Sequence, residues 1–355
     1  MGLKNFWSGR RVFITGHTGF KGSWLCLWLE KLGAQVFTVA LPPNTSPSLY
    51  KLFTIETNVG HHFLDIRDEL KLKDYLIQAE PEIVIHMAAQ ALVRQSYADP
   101  ANTYSTNVMG TVNLLEAVRI SKSVKTVIVV TTDKVYANNN AGIPFVEIDP
   151  LGGEDPYSNS KAATELICQS YRHSFFNQMR IKLATVRAGN VIGGGDWSAD
   201  RLIPDAIRAF EANHAVMLRY PNAIRPWQHV LEPLHGYLLF AQALIETQSQ
   251  LPDALNFGPT PENFATVSEV IDALAMSQKI EHAWQHSPGE HPPEASYLVL
   301  RSDLAQKTIG WCPRLNLRQT LDWTTRWYAA YRQGHDMRDF SLKQISDYEN
   351  EIYDN

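Results

Sequence analysis

The amino-acid sequence predicts an α/β protein built on a doubly wound parallel sheet, with a smaller α/β lobe interleaved with it. Three observations predict this. Short, near-continuous apolar runs alternate with segments of helical periodicity from Arg11 to Arg187, the pattern of a sheet covered on both faces. The first run, Val12-Phe13-Ile14, feeds a turn with glycines at 16, 19 and 22, after which Trp24, Leu25, Leu27, Trp28 and Leu32 recur at helical spacing up to Gly33. Beyond Arg187 the alternation gives way to clusters of glycine, tryptophan and proline, which mark a second, irregular part.

A buried strand, a glycine turn and a helix opening at the last glycine is the arrangement that cradles a pyrophosphate. Glycines let backbone N–H groups approach the phosphates, and the positive end of the helix dipole faces them. The first element is therefore read as a Rossmann-type dinucleotide site using Gly16, His17, Thr18, Gly19, Phe20, Lys21 and Gly22. Gln35–Ala40 is the second strand, ending in a proline-rich loop. An acidic residue commonly follows this strand to hold the adenosine ribose hydroxyls. None occurs between Gln35 and Leu52, which leaves the choice between NAD and its 2′-phosphorylated form open. His61–Phe63 starts a third strand that leads into Asp65-Ile66, then an amphipathic helix through Ala79. Glu82–His86 is the fourth strand, followed by Met87-Ala88-Ala89-Gln90, and a helix from about Pro100 carries Thr106 and Asn107. Lys125–Thr131 is the fifth strand, Tyr157–Phe176 a long helix and Ile181–Arg187 the sixth strand. In the later part, Asp205–Ala212, Leu234–Thr247, Val267–Met276 and Asn316–Tyr331 read as helices. The division expected is a dinucleotide-binding domain over 1–189 and a mainly substrate-binding lobe over 190–355.

The whole-chain properties narrow the class. A length of 355 residues, 45% hydrophobic and 19% charged, describes an ordinary globular enzyme. The net charge of −5 offers no basic field for a nucleic acid. Cys26, Cys168 and Cys312 have no metal-ligand spacing, and Cys26 and Cys168 read as buried thiols suited to a reducing compartment. No signal peptide and no run of eighteen apolar residues is legible, so a cytoplasmic location without a membrane is expected.

The residues that could do chemistry fall at strand ends. Tyr157 and Lys161 stand one turn apart on one helix face. Lys161, with a cationic nicotinamide, is expected to stabilise the Tyr157 phenolate, a shift of about three units or roughly 4 kcal/mol. Thr132, Asp133 and Lys134 follow the fifth strand, and open α/β sheets bind ligands beyond the carboxyl ends of their strands. Asn190, after the sixth strand, is placed to meet a phosphate or sugar. Arg201, Arg219, Arg225 and Arg301 are arginines spaced through apolar and aromatic stretches, whose forks suit phosphate oxygens. Trp197 and Trp227 either stack on a base or belong to the core, while His17 and His229 read as structural or polar lining.

Gly16-x-x-Gly19-x-x-Gly22, His86 to Gln90, Thr106-Asn107, Thr132 and the Tyr157/Lys161 pair occur in the order and spacing of the extended short-chain dehydrogenase/reductases. The chain resembles that family from about Arg11 to Pro313. Within it, the acid and base after Thr132 resemble the sugar-nucleotide 4,6-dehydratases rather than the epimerases. Lysine at 134 departs from the commoner Asp-Glu pair. It is similar to the dehydratases of CDP-glucose and to those that invert C5 of UDP-N-acetylglucosamine. The contexts Gly16 to Leu25, Leu41 to Thr45 and Arg187 to Trp197 favour the first. The resemblance implies a tightly bound, recycled NAD held by the glycine loop with Asp65, Ile66, Ala88, Ala89, Gln90, Asn107, Thr131, Tyr157 and Lys161. It implies catalysis by Thr132, Asp133, Lys134, Tyr157 and Lys161. A CDP-glucose or similar nucleotide-sugar would be held by Thr132, Asn190, Arg201, Arg219, Arg225, Trp227 and Arg301. It also implies a homodimer or homotetramer serving deoxysugar biosynthesis for lipopolysaccharide O-antigen. The alternatives are the C5-inverting dehydratase, a 4-epimerase and a non-catalytic relative.

Overall fold

Val12 and Ile14 point to one face of the sheet and Phe13 to the other, because side chains alternate along a strand. Both faces are covered, so the strands carry no polar side. The computed structural model describes residues 2–54, 60–278, 280–291 and 294–353. Its central sheet contains β1 (Arg11–Thr15), β2 (Gln35–Ala40), β3 (His61–Phe63), β4 (Ile83–His86), β5 (Thr126–Val130) and β6 (Lys182–Ala188). A seventh strand, Ala254–Phe257, pairs with β6. All seven are parallel, in the order seventh strand, β6, β5, β4, β1, β2, β3. The winding reverses between β1 and β4, and the crevice at such a reversal, outside the carboxyl ends, is where a ligand sits.

The helices up to β6 are α1 (Leu3–Trp7), α2 (Phe20–Lys31), α3 (Leu49–Leu52), α4 (Glu69–Ala79), α5 (Val93–Ala98), α6 (Pro100–Tyr104), α7 (Gly110–Ile120), α8 (Pro156–Tyr171) and α9 (Asn177–Met179). Leu72 and Leu76 of α4 with Leu114 and Leu115 of α7 cover the Phe13 face. Trp24, Leu27 and Trp28 of α2 cover the other, with Leu234 and Leu238 from a later helix. Cys26 and Cys168 are buried thiols.

The second part contains β7 (Val191–Ile192), α10 (Leu202–Glu211), β8 (Val216–Leu218), β9 (Ile224–Pro226), β10 (Gln228–His229), α11 (Leu231–Glu246) and the seventh sheet strand, β11. After them come β12 (Phe264–Thr266), α12 (Val267–Gln278), β13 (Trp284–His286), α13 (Asp303–Ile309), α14 (Leu317–Arg332) and α15 (Met337–Tyr353). Two differences from the sequence reading have plain causes. The long helix ends as an α-helix at Tyr171, because Arg172–Phe176 widens into a π-turn that seats Phe176 in the core. α15 docks beside α2, where Glu349 accepts from Trp28 Nε1 at 2.8 Å and Tyr348 packs edge-on against Trp28.

One buried ion pair joins three elements near the strand ends. Glu165 of α8 accepts from Arg187 of β6 (Nε to Oε1 2.9 Å, Nη2 to Oε2 2.8 Å). It also accepts from Thr131 at 2.5 Å and Thr185 at 2.6 Å. Burial opposes its charge, yet the guanidinium fork and the hydroxyls hold its carboxyl below the usual value. Arg187→Met should therefore cost about 3–5 kcal/mol in urea unfolding, since it leaves a buried carboxylate without its counter-charge. The sign with pH follows from the lowered value. The Glu165 contribution should be complete above its unfolded pKa near 4.5 and be lost as pH falls through its lower folded value. Arg187→Met should flatten that acid limb.

Candidate active site

The carboxyl ends of β1, β4, β5 and β6 open into one cavity of about 1360 Å³. This exceeds the roughly 300–1,000 Å³ that suits one small ligand and leaves room for a dinucleotide and a nucleotide-sugar together.

At its cofactor end, Gly16, Thr18, Gly19, Phe20, Lys21 and Gly22 line the wall. Gly19 opens α2 without a side-chain cap, so the first-turn N–H groups of Phe20, Lys21 and Gly22 find no acceptor among the described residues. A Cβ on Gly22 would lie 2.1 Å from the Gly16 carbonyl oxygen, so the turn closes only with glycine there. Free donors at a helix N-terminus fit a pyrophosphate. Asp65, Ile66, Ala88, Ala89, Gln90 and Thr131 also line the cavity. After β2 the lining residues are Leu41, Pro42 and Asn44, none acidic.

The β1–β4 junction is held by a chain of hydrogen bonds with one consistent direction. Thr111 donates to the Asn107 carbonyl at 2.6 Å and so accepts from His86 Nε2 at 3.1 Å. His86 Nδ1 is then the acceptor for Thr15 Oγ1 at 2.7 Å, and Thr15 accepts from the N–H groups of Met87 and Ala88. The chain requires neutral His86, and burial with nearby Lys161 lowers that ring to about 3.

The catalytic candidates meet where β5 and α8 converge. Asp155 caps α8 by accepting from Ser158 N at 3.0 Å, and Ser96 accepts from Tyr157 N at 3.1 Å. Lys161 Nζ donates to the Val130 carbonyl at 3.1 Å. Asp133 Oδ1 accepts from Thr132 Oγ1 at 2.9 Å and from Lys134 Nζ at 3.0 Å, while Oδ2 is buried with no partner among the described residues. A Cβ on Gly189 would lie 1.9 Å from that oxygen. Lys21, buried to a pKa of about 7, shares this end with Lys161, Arg201 and Asp133.

The tyrosine differs from the sequence expectation. Burial pushes Tyr157 up to about 12, outweighing the Arg201 charge and the Thr132 hydroxyl that pull it down. Lys161 is itself lowered to about 8 by burial, with its ammonium turned to the Val130 carbonyl. The phenolate-favouring groups in the protein alone are Arg201 and Thr132.

Asn190, Arg219, Arg225 and Trp227 also line the cavity, and Arg201 lies nearer Tyr157 and Lys21. Asn190 has φ +38° and a buried Oδ1 without a partner among the described residues. Arg225 is buried and contacts Glu294 at 3.5 Å, and Arg219 contacts the same carboxylate at 3.4 Å. Trp227 forms a wall, with its Nε1 committed to the Ala265 carbonyl at 3.0 Å.

Three residues expected in the site lie elsewhere. Arg301 is outside the cavity and exposed, its guanidinium paired with Asp303 at 2.7 Å, so it is not placed to hold substrate. The His17 ring turns away from the cavity and packs edge-on against Tyr50 at 5.4 Å, where burial lowers it to about 4. Asn107 is buried behind the wall, donating to Ser160 Oγ at 2.8 Å and accepting from Gln90 N at 2.8 Å, so it acts through Gln90. Sequence reasoning missed Gly189 and Ser96. A glycine directly after a buried strand at the ligand-binding edge was a readable signal; Ser96 carried none.

An open, doubly wound sheet with a glycine-turn pyrophosphate cradle and a Thr/Tyr/Lys group at its carboxyl edge defines a class, and the chain belongs to it. It is a member of the NAD dependent epimerase/dehydratase family, which residues 12–257 match. It is 49% identical over 350 residues to the CDP-glucose 4,6-dehydratase of Salmonella typhimurium, spanning 97% of this chain and 98% of that one. Among solved structures, UDP-glucose 4-epimerase of Thermotoga maritima with UDP-glucose superposes with a TM-score of 0.80 at 22% identity, covering 90% and 99% of the two chains. The dTDP-glucose 4,6-dehydratase of Bacillus anthracis in complex with NAD gives 0.78 at 20%, covering 92% and 99%. These two likenesses are of fold.

Gly22→Ala should raise the NAD dissociation constant about tenfold or more, read by fluorescence titration, because the loop must open to admit the Cβ. Unchanged affinity would remove the glycine turn from the cofactor site.

Proposed function

We propose that the chain converts CDP-glucose to CDP-4-keto-6-deoxyglucose as an NAD-dependent hydro-lyase. The observation that carries this reading is the Asp133–Lys134 pair, 3.0 Å apart beside Thr132 and Tyr157. The near full-length similarity to a CDP-glucose 4,6-dehydratase supports the same substrate. Residues 1–189 hold mainly NAD and 190–355 mainly the nucleotide-sugar, with Asn190, Arg219 and Arg225 on the diphosphate. The setting this reading implies is a cytoplasmic homodimer or homotetramer.

NAD, held by the glycine turn from Gly16 to Gly22, would supply a reversible hydride acceptor, so hydride taken at C4 would be available again at C6 with no cofactor consumed. Tyr157, as the phenolate that Arg201 and the cationic nicotinamide would favour, takes the proton of the C4 hydroxyl, and Thr132 turns its hydroxyl from Asp133 Oδ1 to donate to O4. The resulting ketone acidifies the proton at C5. Transfer of one proton from Lys134 Nζ to Asp133 Oδ1, along their contact, turns the resting ion pair into an amine and a carboxylic acid. Lys134 then takes the C5 proton, Asp133 protonates the departing C6 hydroxyl, and water leaves. Lys134 afterwards returns a proton to C5. The proton gained by Tyr157 then passes to Lys134, which regains its ammonium beside the Asp133 carboxylate, so the protein ends as it began. The acid and the base work as one unit, joined by their 3.0 Å contact.

Tyr157→Phe should abolish turnover while leaving NAD bound, since only the hydroxyl is lost; turnover at the normal rate would remove Tyr157 as the base. Asp133→Asn and Lys134→Met should slow loss of water by about 10²- to 10⁴-fold each, while the C4 hydrogen is still removed. Mass spectrometry of single-turnover mixtures reads both. In wild-type protein, solvent deuterium should enter C5 and a C4 label should appear at C6. Simple interconversion of C4 epimers would replace this reading with an epimerase.

A further inference from the structure

The far end of the cavity holds three carboxylates, Asp200, Asp205 and Glu294, in a place that must also receive a doubly negative diphosphate. Two of them are engaged with the arginines there. Asp200 pairs with Arg94 at 2.8 Å and lies 3.9 Å from Arg219. Glu294 sits between Arg219 and Arg225. Asp205 is different. It stands in the first turn of α10, and its ion-pair partner is Arg208 on the same helix. Arg208 is fixed in turn by the carbonyls of Trp197 at 3.1 Å and Ser198 at 3.2 Å. It takes Oδ1 of Asp205, whose side chain is 38% exposed on the cavity wall. Burial raises this carboxyl above its usual value, although Arg208 and Arg219 pull it down.

The surroundings describe what would answer it. Leu202, Ile203, Val216 and Leu218 line the same stretch of the cavity, and Arg219 follows directly toward the diphosphate arginines. Apolar walls suit a flat ring, and a carboxylate at their edge calls for N–H donors and disfavours a carbonyl oxygen. Cytosine presents an exocyclic amine at the position where uracil and thymine present a carbonyl oxygen, and a carboxylate is the group that accepts from that amine. We propose that Asp205 selects cytidine over uridine and thymidine nucleotide-sugars by accepting from the cytosine amine. This rests on the CDP-glucose reading above and names the residue that enforces it.

The test uses the full-length, NAD-loaded protein. Calorimetric affinities for CDP and UDP would be compared in wild type, Asp205→Asn and Asp205→Leu, together with kcat/KM for CDP-glucose, UDP-glucose and dTDP-glucose. Wild type should prefer the cytidine ligands. Asp205→Asn, whose amide can donate as well as accept, should lower the CDP/UDP ratio about 10- to 100-fold, and Asp205→Leu should weaken CDP while sparing UDP. CDP dimethylated on its exocyclic nitrogen should lose the same factor on the wild-type protein, a measurement that needs no variant to fold. If wild type prefers CDP but both variants keep that preference, or the dimethylated ligand binds like CDP, Asp205 is not the reader. If wild type shows no preference for CDP, the CDP-glucose reading itself fails.

Discussion

The site depends on one constraint: a buried carboxylate, Glu165, that cannot be left uncompensated. Its charge is met by a guanidinium from β6 and by hydroxyls from the ends of β5 and β6, so helix and strands can seat in one register. Glu165 lies two turns below Tyr157 on α8, and Thr131 immediately precedes Thr132 and Asp133. The clamp therefore sets the distance between the phenol and the acid–base pair. Arg187 also donates to the Tyr136 hydroxyl at 2.8 Å, which steadies the far side of the Asp133–Val135 turn. Positioning within fractions of an ångström is what productive proton transfer requires, and here it is built from the backs of the strands rather than from the cavity wall.

The electrostatics of the cavity divide along its length. At the reacting end, Lys21, Lys161 and Arg201 gather around a tyrosine and an aspartate, and burial discharges part of that excess by lowering both lysines. At the far end the arginines are cross-linked by carboxylates before any phosphate arrives. On the proposed function, an incoming diphosphate would exchange one set of anionic partners for another, limiting the rearrangement that binding demands.

Five strands of the sheet were legible as short apolar runs between turn residues and His61–Phe63 from its place ahead of Asp65, and the glycine turn was legible because its context admits only a strand before it and a helix after it. Ala254–Phe257 was not. It is four residues long and carries a central Asn256, a buried polar residue tolerated because Tyr136 donates to its side chain at 2.7 Å and Glu147 accepts from its backbone N–H at 2.8 Å. α15 was hidden in the same way: its buried residues, Met337, Ile345 and Tyr348, are sparse among charged neighbours. Within the site, Thr132, Asp133, Lys134, Tyr157 and Lys161 were legible from strand-end position, spacing and the family resemblance together, and all five line the cavity. What spacing cannot convey is the direction of a side chain. His17 and Asn107 occupy the right positions and face the wrong way for a ligand, and Arg301 is drawn outward by Asp303.

The absence of a side chain at Gly189 bears on how such an enzyme can change its chemistry. The unpaired oxygen of Asp133 occupies the volume where any β-carbon at 189 would fall. The Asp133 carboxylate therefore holds this position only beside a glycine. A side chain at 189 would push the Asp133 carboxylate from its place beside Thr132 and Lys134, so a change on one strand end reaches the proposed acid on the next.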